Sequence, residues 1–316
     1  MVIKPRITLE GRTKLETVIP LSTPYLVFLD PSDCCNFNCK ICPSGDKRLL
    51  KALGRIPQLM NLDIYKKIIR DLAEMPERVK TLRLYADGEP TMNPNLHKMV
   101  SYAKDLVDSI DTTSNGSLLT PKLGKKLVDA GLDKIFISVP NNYSNDYRDQ
   151  IHNFILHRKQ CKVYIKIIGD GMTERGKKTF YRDFSDADRV FIENRINCWP
   201  NFNSGDDPKV GIYGNPLTDV AVCPYVMYSV KINSDGTVSL CFLDYPHQMI
   251  VGDLKTESFR EVWNGEKLRN YQIMHLSKRR HIHPFCCNCH QLTHGAPDDI
   301  DKYAETLLNK IKRKEK

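Results

Sequence analysis

Residues 25 to about 195 alternate short β-branched or aromatic runs with amphipathic stretches of helical period. Strands are expected near 25–30, 79–85, 110–114, 134–139, 162–168 and 189–194, and helices near 61–74, 94–107, 121–130, 145–158 and 174–183. Strands that each return through a helix build a parallel sheet. Six such units give an α/β fold, a partial TIM-like (β/α)6 barrel. Two helix starts carry their own signals: Thr120 followed by Pro121, and Thr173 followed by Glu174. Ligands of such folds gather at the C-terminal ends of the strands, so the chemistry is expected there.

The chain has 316 residues, 41% of them hydrophobic, enough for one large domain and a smaller one. No apolar run approaches the ~20 residues of a membrane span, and Met1-Val2-Ile3-Lys4-Pro5-Arg6 has no secretory character. Eleven cysteines without an export signal point to a reducing cytoplasm and to metal ligation over disulfides. The net charge is +9, with Lys310, Lys312, Arg313, Lys314 and Lys316 massed at the C-terminus as a solvated helix end. No aromatic-interleaved basic patch marks a nucleic-acid partner. The mildly basic body suits an acidic substrate such as a phosphorylated or nucleotide-linked sugar.

Directly after the first strand comes Asp33-Cys34-Cys35-Asn36-Phe37-Asn38-Cys39-Lys40-Ile41-Cys42-Pro43, in which Cys35, Cys39 and Cys42 have the spacing C-x3-C-x2-C. A structural zinc site uses four protein ligands, as does a cubane iron–sulfur cluster in an electron carrier. Three thiolates in one compact loop leave one iron of a cubane open to an exogenous ligand. A zinc-binding loop, or thiols that are merely buried, is the plainer alternative. Further elements sit at later strand ends: Ala86-Asp87-Gly88-Glu89-Pro90, then Thr113-Ser114-Asn115-Gly116, then Ser138.

This set resembles the radical S-adenosylmethionine (radical SAM) superfamily. The resemblance implies a [4Fe–4S] cluster on Cys35, Cys39 and Cys42, with S-adenosylmethionine chelated to the open iron. Reductive cleavage then yields a 5′-deoxyadenosyl radical that takes a hydrogen atom from substrate, the hard chemistry lying with the cofactor. It further implies that Ala86, Asp87, Gly88 and Glu89 lie at the methionine side, Ser138 at the ribose and Ile41 against adenine, with Phe37 and Asn115 also among the cofactor contacts. Asp87 departs from the small residue usual in that element, and Ile41 from an aromatic.

A second cysteine set starts after the Asn/Pro/Gly-rich stretch 196–222. Cys223 is followed after twelve residues by Gly236, after four more by Cys241, and after forty-four by Cys286 and Cys289. The C-x12-G-x4-C hairpin, turning at Asn233-Ser234-Asp235-Gly236, resembles the opening of the SPASM domain appended to many radical SAM enzymes. Val251-Gly252-Asp253-Leu254 and Val262-Trp263-Asn264 match it as well. The later C-x5-C-x3-C run is missing, which implies the shortened form called twitch and one auxiliary [4Fe–4S] cluster on four thiolates. A closed cluster suits an electron relay. Cys286, Cys289 and His290, with His281 and His283 close by, could instead hold zinc. Cys34 and Cys287 are adjacent alternatives to the ligands, and Cys161 is a core or surface residue.

The domains expected are a core at 20–200, an auxiliary-cluster domain at 215–295 and a basic tail at 296–316. The resemblance implies dehydrogenation or epimerisation of a sugar, cyclitol or nucleotide-sugar substrate, with a flavodoxin, ferredoxin or reductase as electron donor. Cys198 is the candidate hydrogen donor for epimerisation, and Lys166, Arg195, Tyr213 and Asp219 are candidate substrate contacts. Maturation of ribosomal peptides is the alternative. About 24 residues before the first strand are too few for a leader-binding domain, which favours a small molecule. The non-catalytic alternative is a zinc-binding interaction protein.

Overall fold

The computed structural model describes residues 11–169, 171–193, 202, 220–287, 289, 291–292 and 298–313. Six strands, β1 (Leu26–Leu29), β2 (Thr81–Arg83), β3 (Ile110–Ser114), β4 (Lys134–Ser138), β5 (Lys162–Ile168) and β6 (Arg189–Glu193), run parallel in sequence order. Most are separated by the expected helices: α3 (Leu62–Ala73), α4 (Leu96–Ala103), α5 (Pro121–Asp129), α6 (Asn145–Leu156) and α7 (Glu174–Asp183). Both signalled starts are capped as anticipated: the Thr120 hydroxyl accepts from the Leu123 amide and that of Thr173 from the Gly176 amide. Short helices α1 (Leu15–Val18) and α2 (Lys47–Ala52) flank β1 and lack a periodicity long enough to read.

Each strand sends alternate side chains to opposite faces. The outer face, including Val27, Leu82, Ile110, Ile135 and Ile165, packs with Tyr65, Ile68, Met99, Leu127, Ile151 and Phe154 of the helices into one core. On the inner face the register sets Phe28 beside Arg83 and Arg83 beside Asp111. Further along, Thr113, Phe136, Tyr164 and Arg189 lie side by side, and Ser138 lies beside Lys166. This is an aromatic and charged lining.

The second cysteine region does not form a separate sheet. After α8 (Tyr225–Tyr228), strand β7 (Ser229–Ile232) pairs parallel with β1, and β8 (Thr237–Ser239) and β9 (Ile250–Asp253) follow antiparallel. The result is one nine-stranded sheet in the order β6-β5-β4-β3-β2-β1-β7-β8-β9. β1 is thereby an interior strand, bonded on both edges. The turn between β7 and β8 falls at Asn233–Gly236, with the Gly236 amide donating to the Asn233 carbonyl.

Behind β9 pack α9 (Phe259–Trp263) and α10 (Glu266–Leu276). A Cβ on Gly252 would meet Val262 at 2.4 Å, so the glycine lets α9 lie directly on the strand. Trp263 is buried, and its indole N–H donates to the Leu21 carbonyl at 3.2 Å. The basic C-terminus is more than a solvated end: α11 (Ala304–Arg313) buries Ala304, Leu307 and Ile311 while Lys310, Lys312 and Arg313 stay in solvent. Its apolar stripe docks on α10. Among the described residues no helix is long and apolar enough to cross a membrane. Truncating Trp263 to alanine is expected to cost about 3–5 kcal/mol in chemical denaturation, with Trp263→Phe recovering most of the loss.

Candidate iron–sulfur and cofactor site

The loop after β1 is built by turns and close backbone packing. The Cys42 amide donates to the Cys39 carbonyl (3.1 Å) and the Gly45 amide to the Cys42 carbonyl (3.0 Å). A Cβ on Gly88 would meet the Ser32 and Cys34 carbonyls at 2.1 and 2.5 Å, and one on Gly45 the Cys39 carbonyl at 2.3 Å. Only glycine lets the β2 loop press on the cysteine loop this closely. The Glu89 amide completes that seam by donating to the Cys34 carbonyl at 2.8 Å.

Burial holds all three thiols above the ordinary cysteine value, and Cys35 raises both Cys39 and Cys42 further. The Phe37 amide donates to Cys35 Sγ at 3.4 Å. Cys34 is also raised by burial, but after that it responds to Asp33 rather than to another thiol. Cys35, Cys39 and Cys42 thus lie within electrostatic reach of one another. Phe37 and Ile41 flank the loop, half-buried.

Asp87 and Glu89 were both expected among the cofactor contacts, yet neither carboxylate faces outward. Glu89, 3% exposed, braces two loops. Its Oε1 accepts from the Thr91 amide (3.0 Å), Thr91 hydroxyl (2.5 Å) and Ser114 hydroxyl (2.7 Å), and its Oε2 from the Asn115 amide (2.6 Å). Asn115 in turn donates its side-chain amide to Asn36 Oδ1 at 2.9 Å, and Asn36 donates to the Ser117 hydroxyl at 2.9 Å. The turn after β3 is thus tied to the cysteine loop.

Asp87 has no exposed side-chain surface and sits between Lys231, Arg55 and His247. Lys231 of β7 reaches both its oxygens (3.0 and 3.2 Å), Arg55 approaches at 3.2 Å and His247 Nε2 at 2.9 Å. Burial opposes its charge, but Lys231, His247 and Arg55 outweigh burial and hold the carboxyl well below the usual range. The Asp87 amide donates to Asp30 Oδ2 at 3.1 Å, and its carbonyl accepts from the Ser44 hydroxyl. Burial, then Asp87 and Asp33, hold Asp30 well above the usual range. Contact of Asp87 or Glu89 with a ligand therefore falls to main-chain atoms. Ala86 precedes them, half-buried, and Ser138 is half-buried at the end of β4.

The other four thiols also gather. Burial pushes Cys223 up to about 12, with Cys289 and Cys286 adding to it. It likewise raises Cys241, with help from Cys289 and Cys223, and Cys286, with help from Cys241 and Cys289. These four thiols are therefore close enough to act on one another. Yet among the described residues no three His, Cys, Asp or Glu side chains converge as a single metal ion would require. His283 uses Nδ1 to accept from the Phe285 and Cys286 amides (3.3 and 3.4 Å), which places it as a brace of the loop. His281 is exposed and His290 lies outside the described residues, while Cys287 is exposed with its thiol on the Pro284 carbonyl.

Phe242, next to Cys241, stacks on Phe28 of β1 at 4.9 Å. Asp301 accepts the Ala221 and Val222 amides at 2.8 Å each, pinning the approach to Cys223. Lys166 contacts Glu193 at 3.3 Å across the ends of β5 and β6. Cys161 is buried in the core just before β5. Cys198, Arg195, Tyr213 and Asp219 lie outside the described residues.

Lys231, Arg55 and His247 were missed by sequence reasoning. Only Lys231 left a trace, as a lone cation between Val230 and Ile232 in the strand Ser229-Val230-Lys231-Ile232. Glu89→Gln would turn an amide NH2 toward one of the donors now bound by the carboxylate. It is expected to cost about 1.5–3 kcal/mol by thermal denaturation and to speed hydrogen exchange at the Asn115 amide.

A model of the radical SAM superfamily matches residues 29–161, and one of the SPASM iron–sulfur cluster-binding domain matches 223–290. Over 269 residues the chain is 20% identical to the S-adenosyl-L-methionine-dependent 2-deoxy-scyllo-inosamine dehydrogenase of Niallia circulans, covering 84% of this chain and 93% of that protein. It is 28% identical over 120 residues to the tungsten-containing aldehyde ferredoxin oxidoreductase cofactor-modifying protein of Pyrococcus furiosus, and spans 30% of it. It is 33% identical over 169 residues to the GTP 3′,8-cyclase of Aliarcobacter butzleri, covering 52% of this chain and 43% of that one. Among solved structures, BtrN in complex with AdoMet and 2-DOIA superposes with a TM-score of 0.59 at 15% identity, covering 88% of this chain and 97% of BtrN. AdoMet-bound anSMEcpe superposes with a TM-score of 0.59 at 10% identity, covering 92% and 97%. The three-thiol loop, the strand-end loops packed on it and the second cysteine set fit these families, and the chain is a radical SAM enzyme, dependent on S-adenosylmethionine and iron–sulfur clusters, with a C-terminal SPASM-type domain.

Proposed function

We propose that this enzyme dehydrogenates a hydroxyl-bearing carbon of a small cyclic substrate, of the cyclitol, amino-sugar or nucleotide-sugar type, to a ketone. The observation that carries this reading is the group of Cys223, Cys241, Cys286 and Cys289, gathered beside strands continuous with the core sheet. Four thiols satisfy a cubane and leave no iron for substrate, so the group they hold serves electron transfer. The end-to-end similarity to the Niallia circulans dehydrogenase supports the same class of reaction.

In this reading Cys35, Cys39 and Cys42 hold the core cluster. Gly88 brings the β2 loop against it, and Ser138, Phe37 and Ile41 border S-adenosylmethionine. That cofactor supplies the hydrogen-abstracting chemistry, and the auxiliary cluster supplies an electron acceptor. The remaining task is to receive the hydroxyl proton. That role is assigned to Glu193, which pairs with Lys166 across the ends of β5 and β6. A one-electron donor protein of flavodoxin or ferredoxin type reduces the core cluster.

The test is a panel of cyclitols, amino sugars and nucleotide sugars incubated anaerobically with S-adenosylmethionine and reductant. 5′-Deoxyadenosine and ketone are quantified together. At saturating S-adenosylmethionine, Cys241→Ala is expected to retain 5′-deoxyadenosine formation while ketone falls by at least ~10-fold. Ketone and 5′-deoxyadenosine that stay in the wild-type ratio would remove the auxiliary group from the reaction.

A further inference from the structure

Lys231 is wholly buried, and its ammonium makes three contacts. Two go to the Asp87 carboxylate, at 3.0 and 3.2 Å, and the third to the Asp244 carbonyl at 2.7 Å. Asp87 belongs to the loop whose next residue, Gly88, presses on the core cysteine loop. Asp244 lies three positions after Cys241, in a turn locked by its own carboxylate, which accepts the Gln248 and Met249 amides at 3.0 and 2.9 Å. The Asp244 amide also donates to the Cys241 carbonyl at 3.1 Å. One ammonium group therefore ties the loop behind the core thiols to the turn that carries an auxiliary thiol.

A buried ammonium is stable only while its partners stay in place. Displacement of the Cys241 turn would withdraw the Asp244 carbonyl and shift Lys231, and Asp87 would have to follow. Its amide is bonded to Asp30 and its carbonyl to Ser44 of the core cysteine loop, so a shift of Asp87 strains that loop as well. The movement would pass to Gly88 and Glu89. Arg55 strengthens the coupling from the other side: it binds Asp87 and also Asp33 (3.0 Å), at the start of the core cysteine loop.

We propose that Lys231 is a positioning residue that couples the two cofactor sites, so that a filled auxiliary site raises the affinity of the core for S-adenosylmethionine. The coupling rests on residues 86–89 forming the S-adenosylmethionine side of the site, and it is independent of which substrate the enzyme oxidises. Reciprocity requires that S-adenosylmethionine, once bound, tightens retention of the auxiliary cluster by the same factor.

The test measures S-adenosylmethionine binding by equilibrium dialysis on the reconstituted full chain, with core-cluster iron verified in each form. Cys241→Ala, which disables the auxiliary site, is expected to weaken binding about tenfold in the wild-type background. In the Asp87→Asn/Lys231→Met background, where both charges are removed together, the same change is expected to have an effect of less than about twofold. An equal effect in the two backgrounds, or none in the wild type, would overturn the coupling. Gly88→Ala is run alongside, and unchanged affinity there would overturn the loop assignment instead. A measurement on unaltered protein guards against variants that do not fold. At equilibrium with a competing chelator, S-adenosylmethionine should raise about tenfold the chelator concentration that removes half of the auxiliary iron, and an unchanged midpoint contradicts the proposal.

Discussion

The carboxylate of Asp87 is wholly buried, and the groups that bind it come from distant stretches of chain. Lys231 stands on β7, Arg55 follows α2, and His247 lies between β8 and β9. Removing one partner from such a cluster leaves an uncompensated buried charge, a loss of about 3–5 kcal/mol. Its members are therefore held in a fixed relation to one another. Since Asp87 stands next to Gly88 and Lys231 near the Cys241 turn, that relation also fixes the two groups of thiols.

The sheet provides the frame on which this cluster is possible. β7 joins β1 in parallel, with Phe28 opposite Lys231 in the register. Phe28 and Lys231 consequently point to the same inner face, toward the loops at the strand ends. Phe242 then stacks on Phe28. The auxiliary region is an extension of the core, joined by backbone pairing, aromatic packing and buried charge. A closed auxiliary cluster so placed is suited to receiving an electron from chemistry at the barrel mouth, which links the architecture to dehydrogenation.

Much of this was legible because local features carry it. The six strands have β-branched runs bounded by turn residues, and the helices between them have clear periodicity and capped starts at Thr120 and Thr173. The cysteine spacings are similarly local. What was not legible depends on contacts between residues far apart in sequence. Nothing in Ser229-Val230-Lys231-Ile232 announces a parallel partner two hundred positions earlier, and 144 residues separate Lys231 from Asp87. Asp87 therefore looked like a departure from a small-residue motif, when it is the acceptor for a cation supplied by another region. Glu89 looked like a ligand contact because it belongs to the same strand-end motif as Ala86 and Gly88. Its carboxylate is instead consumed by Thr91, Ser114 and Asn115. The C-terminal helix was read by its lysines, although the spacing of Ala304, Leu307 and Ile311 decides its packing.

The most direct test of a two-cluster enzyme is iron, acid-labile sulfide and zinc counted per chain on anaerobically reconstituted protein. Two cubanes predict about eight irons with matching sulfide and no stoichiometric zinc. About four irons with one zinc would leave the core site intact but contradict an auxiliary electron acceptor, and with it the dehydrogenase.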